Sequence, residues 1–68
     1  MPGHVRITVH PPSSSGGRRV SAGAEHLGVA YGVADVLEFL RRAGADPDEV
    51  QLDDPRFVEW RGGGPGVW

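Results

Sequence analysis

Histidine is the commonest metal ligand and general base, so His4, His10 and His26 are the first residues to weigh for chemistry. His4 and His10 share a parity within "HVRITVH". Six residues of extended chain hold them about 20 Å apart, too far to share one metal. His26 has no second histidine near it in sequence. Neither a metal site nor an acid–base pair follows from this spacing. Ser13, Ser14 and Ser15 offer hydroxyls, but a nucleophile needs a base held by a third group on rigid support, and these serines stand between prolines and glycines. The acids between Asp46 and Asp54 suggest a calcium loop, yet Val50, Gln51 and Phe57 occupy the positions where such a loop wants an oxygen ligand, glycine and glutamate. Gly62, Gly63 and Gly64 could cradle a phosphate only if a helix followed; Pro65 and Gly66 follow instead. The expectation is therefore a chain without catalytic residues, metal or cofactor.

Two binding surfaces remain. His4, Arg6, Thr8 and His10 alternate onto one face of a strand, with Arg18 and Arg19 nearby. His4, Arg6, Arg18 and Arg19 are thus the candidates for a nucleic-acid surface, although no aromatic residue interleaves them for base stacking. The second surface is aromatic. "WRGGGPGVW" brackets a glycine run with Trp60 and Trp68, both of the chain's tryptophans. Tryptophan and arginine are the commonest interface anchors, so Trp60, Arg61 and Trp68 are the candidate partner-binding residues, with Tyr31 and Phe39 as further exposed aromatics. The competing expectation is that Trp60 is packing and that Trp68 folds back as a lid.

The composition bounds what can position these groups. Sixty-eight residues make one small domain that buries about 60% of its unfolded surface. There is no cysteine, so no disulfide and no cysteine-based zinc site staples it. A small core without staples favours efficient packing or a second copy of the chain. The net charge is −2 and every one of the seven cations is arginine. Residues 1–32 carry +2 and residues 33–68 carry −4, a division that could help two copies meet. No stretch is apolar enough for a membrane span and no secretory signal opens the chain, so the expected location is the cytoplasm.

The elements follow from periodicity. "HVRITVH" alternates strictly, placing Val5, Ile7 and Val9 on one face of a strand. Residues 11–17, with two prolines, three serines and two glycines, predict a mobile loop. In "RRVSAGAEHLGVAY" the apolar parity switches between Val20 and Leu27. A two-residue turn at Gly23-Ala24, type II′ because glycine takes positive φ cheaply, accounts for the switch and predicts strands at 18–22 and 25–30, with Val20 opposite Leu27. A bulge is the alternative. "GVADVLEFLRRAG" has Val33, Val36, Leu37, Leu40 and Ala43 on one helical face, Asp35 and Arg41-Arg42 complementing the dipole, and Gly44 as the stop. Asp46 and Pro47 suggest one short helical turn, and "RFVEWRG" a last strand with Val58 and Trp60 inward and Phe57 and Glu59 outward.

The expected fold is a small α+β domain, β-β-β-α-β, with a three- to four-stranded mostly antiparallel sheet and one amphipathic helix packed on one face. Residues 1–61 form the domain and 62–68 a glycine-rich tail ending in Trp68. The expected core is Val5, Ile7, Val9, Val20, Leu27, Val29, Val36, Leu37, Leu40, Val58 and Trp60. The expected function is a non-enzymatic protein-interaction module, self-associating as a homodimer or docking on another protein, with no membrane partner. The alternatives are a nucleic-acid-binding module on the His/Arg strand face and an accessory domain of a larger enzyme or complex.

Overall fold

The computed structural model describes residues 6–46 and 48–68. Its elements run β1 (Ile7–Pro12), β2 (Arg18–Ala22), β3 (Glu25–Ala30), α1 (Val33–Arg42) and β4 (Val58–Trp60). The strand order is β3-β2-β1-β4. β1 and β2, and β2 and β3, pair antiparallel, whereas β4 returns parallel to β1. The sheet is therefore mixed and mostly antiparallel, and with one helix the fold is α+β.

The alternation read in β1 sorts the sheet into two faces. Ile7, Val9, Val20, Ala30 and Val58 are buried on one face with Val36 and Leu40 of α1. Thr8, His10, Arg19, Ser21, Val29 and Glu59 alternate onto the other, on which none of the described elements packs. Ala45, Val50, Leu52, Phe57, Trp60 and Trp68 complete the covered face where α1 does not reach. Val5 and His4 lie outside the described residues.

The β2–β3 connection combines both devices weighed from the sequence. Ala22 faces Glu25 across Gly23-Ala24, and Gly23 has φ +60 with no positive φ at Ala24, as a type II′ turn requires. A bulge follows. Ser21 pairs with His26 but Val20 pairs with Gly28, so Val20 does not face Leu27 as expected. The extra residue puts Leu27 and Gly28 successively on the covered face and returns Val29 to the open one. Val29 is consequently 38% exposed instead of buried, and Ala30 takes its place in the core. Gly28 sits at φ +152, and a Cβ there would lie 2.8 Å from Phe39 Cζ. The missing side chain is what lets the Phe39 ring lie on the strand.

β1 runs on through Pro11 and Pro12, which the sequence suggested for the loop. Its pairing shifts between Val9 and Pro12, so the prolines' missing donors fall at an irregular strand end. The remaining loop is closed by Ser13 N donating to Gly17 O, and by Gly16 N and Ser13 Oγ bonding within it.

α1 compensates for its weak N-cap. Gly32 offers no side-chain bond, but the Asp35 carboxylate accepts from Tyr31 N at 2.9 Å. At the other end Gly44 N donates to Arg41 O and Ala45 N to Leu40 O, the paired bonds of a Schellman motif. Leu37 is only half-buried and outside the core, because Val36 and Leu40 define the inward stripe. After α1, Asp46 O accepts from Glu49 N and Val50 N; Pro47, expected as the first residue of a short helical turn there, lies outside the described residues. Phe57 belongs to the turn before β4 and packs against the core, whereas an outward position was expected.

Two surface carboxylates are held charged by arginine. Hydrogen bonds from Arg41, then Arg42, pull the Glu38 pKa below its ordinary value; hydrogen bonding from Arg61 does the same for Glu59, with the Arg6 charge and Thr8 assisting. A carboxylate with a lowered folded pKa stabilises above its unfolded pKa, and the contribution disappears as pH falls through the folded value. Stability is expected to decline on acidification below the ordinary carboxylate range, and Glu38→Gln with Glu59→Gln to flatten that decline in denaturation midpoints measured against pH. An unchanged slope in the double variant contradicts the assignment.

Candidate functional site

Arg18 shares the parity of Val20 and so points to the covered face, where it is 0% exposed. A buried guanidinium needs an acceptor for each of its five N–H groups. All five are met by backbone carbonyls. Nε donates to His10 O at 2.8 Å; Nη1 donates to Gly64 O at 2.8 Å and Val67 O at 2.9 Å; Nη2 donates to Arg61 O at 2.7 Å and Gly63 O at 2.8 Å. The irregular pairing of β1 beyond Val9 leaves the His10 carbonyl for this bond. The rest of the cage is the C-terminal segment, wrapped around one side chain.

The indoles finish the enclosure. The guanidinium carbon lies 5.4 Å from the Trp60 ring centroid and 5.6 Å from that of Trp68, within cation–π range. The two rings meet edge to face with centroids 6.2 Å apart. Trp60 Nε1 donates to Leu52 O and Trp68 Nε1 to Pro65 O, each at 2.7 Å. The glycines make the wrap possible: Gly62 has φ +80, and a Cβ there would lie 2.7 Å from Pro11 Cβ. Desolvation lowers the Arg18 pKa, but arginine titrates so high that the group stays charged. Chemically, this arrangement is a cation held by dipoles, and its work is to close the end of the sheet.

The remaining sequence candidates separate. Trp60 and Trp68 are half-buried in the cage. Arg61 is exposed and bonds Glu59 at 2.8 Å. Tyr31 is 69% exposed on the open face beside Val29, both against Gly17. Phe39 is half-buried on the covered side, in a groove of about 490 Å³ between α1 and the β2–β3 hairpin, lined also by Ala22, Glu25, Leu27, Arg42 and Ala43. No family model, curated protein or solved structure matches this chain.

Of the nucleic-acid candidates, Arg19 is exposed on the open face, Arg18 is inside, and Arg6 lies 3.6 Å from Glu59 while donating to Pro55 O. Arg18 therefore leaves that set, because its donors are consumed by the tail. Sequence reasoning also missed a serine–histidine contact: His10 Nε2 and Ser21 Oγ are 2.9 Å apart on the open face, joined by the β1–β2 pairing. The separation suits a nucleophile and base, but among the described residues no carboxylate orients the ring. No group of three or more histidine, cysteine, aspartate or glutamate side chains able to hold a metal occurs among the described residues, and no described helix is long and apolar enough to cross a membrane.

Proposed function

We propose that this chain is a non-enzymatic protein-interaction module that self-associates, with the β3 margin of the sheet as its contact surface. One observation carries the reading: among the described residues, two of the three exposed large apolar side chains, Val29 and Tyr31, stand together at the end of β3, the third being Val67 in the C-terminal segment. Val29 and Tyr31 stand on the open face, and Leu27 and Phe39 line the groove on the other. The tryptophans are engaged with Arg18, so Tyr31 and Phe39 are the aromatic anchors that remain; Arg61 follows β4 at the opposite edge of the sheet and lies outside this surface. Clustered uncovered apolar surface on a small domain marks a contact site, and the cytoplasm is the compartment this reading assumes.

The nucleic-acid reading has thinner support. Glu59 engages both Arg6 and Arg61, which leaves Arg19 as the main open-face cation to meet phosphates. Light scattering over a dilution series tests the choice. The chain is expected to pass from dimer to monomer on dilution, and Tyr31→Ser to move that transition to higher concentration without changing the circular-dichroism melting curve. A chain monomeric at every concentration defeats the proposal, and binding to single-stranded nucleic acid that weakens steeply with salt favours the alternative.

A further inference from the structure

β3 is an edge strand, and the rest of the sheet lies on one side of it. Among the described residues, no backbone hydrogen bond reaches Glu25–Ala30 from outside the sheet. A row of unpaired main-chain donors and acceptors is a template for another extended strand. Natural edges are usually blunted by charge, proline or a covering loop. Here polar side chains are confined to the hairpin end, at Glu25 and His26; beyond them come Leu27, partly buried against the core, glycine at 28, and the exposed Val29 and, just past the strand, Tyr31.

From this geometry we infer that the occupant of the edge is β3 of a second copy, added antiparallel about a two-fold axis, so that the two sheets become one. The inference rests on the self-association proposed above and specifies its mode. A two-fold contact requires a self-complementary patch, since the same surface serves both partners. The β3 margin meets this requirement. Its groove carries Glu25 and Arg42 around an apolar floor of Ala22, Leu27, Phe39 and Ala43. Arg42 is engaged only with Glu38 of its own helix, and among the described residues no cation lies within ion-pair distance of Glu25. Two-fold pairing puts each copy's acid and base into one shared groove and turns Leu27 and Phe39 from both copies toward each other. An unrelated extended peptide would satisfy the backbone row equally well, but it would not bring the matching charges by symmetry. The bulge at Leu27–Gly28 interrupts the edge, so the paired stretch is short.

Hydrogen exchange on the unmodified chain tests the mode directly. At a total chain concentration ten times the dissociation constant about a fifth of the chains are monomeric, so the outward amides of Glu25–Ala30 are expected to exchange about fivefold more slowly than at high dilution, because only the monomer leaves them open. The chain has no cysteine, so the variants Glu25→Cys, His26→Cys, Leu27→Cys and Val29→Cys provide a clean second measurement. Under mild oxidation those nearest the axis are expected to cross-link into covalent dimers, whereas Arg56→Cys remains monomeric. A dimer in light scattering whose β3 amides show no dependence on concentration overturns the edge pairing and leaves the interaction module standing. A chain that never dimerises overturns both.

Discussion

Arg18→Met is expected to detach residues 62–68 from the sheet and to lower the free energy of unfolding by about 3–5 kcal/mol, since each of five hydrogen bonds from a charged donor is worth about 1.5–3 kcal/mol and water reaching the freed carbonyls offsets part of the loss. Methionine approximates the arginine stem but supplies none of the five N–H donors. The carbonyls of Arg61, Gly63, Gly64 and Val67 then have to find water, and Trp60 and Trp68 lose the cation between them. Stability of about 0.05–0.15 kcal/mol per residue is typical, so such a loss removes much of what a domain this small possesses. Arg18→Lys is expected to recover only part of it, since a point charge with three donors cannot bridge acceptors arranged around a planar fork. Urea midpoints measure the loss, and exchange of the Gly62–Trp68 amides measures the detachment. Cutting the chain after Arg61 supplies the cross-check. Arg18→Met should cost much less in the shortened chain, because most of its partners are already gone. A midpoint unchanged by Arg18→Met would show that the cage contributes nothing to stability.

The second large effect is expected at Gly28→Val. The backbone there, at φ +152, is one that side-chain-bearing residues rarely adopt, which costs about 1–3 kcal/mol. The new Cβ also meets Phe39 at 2.8 Å and 3.0 Å, and forcing extra methyl groups into a packed site costs about 1–3 kcal/mol more. At about 4–8 °C per kcal/mol for a domain of this size, even the lower bound should depress the melting temperature by about 8 °C. Adding Phe39→Ala separates the terms. It should relieve the steric part and leave the backbone part, so the valine penalty in the Phe39→Ala background should be smaller but not zero. Equal melting temperatures for Gly28→Val and the parent would contradict the bulge geometry.

How far the sequence can be read depends on whether a residue's partners are close to it along the chain. β1 and α1 were legible because alternation and the 3.6-residue period are local, and the hairpin was legible because Gly23-Ala24 is a two-residue signal. The bulge is legible only as an alternative to that turn, since alternation from Leu27 through Tyr31 gives no reason to expect both; the need to seat Phe39 over Gly28 supplies it. Alternation alone places Val29 inside and passes over Ala30, which is the residue that is buried. Arg18 presents the reverse case. Its parity with Val20 already put it on the inward face, but a charged residue in that position reads as surface until its acceptors are known.

Composition and local periodicity by themselves determined an α+β fold, its strands, its helix with the Gly44 stop, and the buried valines Val9, Val20, Val36 and Val58, because those follow from which side chains avoid water within one element. Tertiary structure alone decided what happens at the two ends of the core face. The acceptors that bury Arg18 include four carbonyls 43 to 49 residues away, and backbone carbonyls are the same in every residue type. Nothing in the letters of a glycine-rich tail distinguishes one that wraps a guanidinium from one that does not; the difference arises only when the fold carries both to the same place.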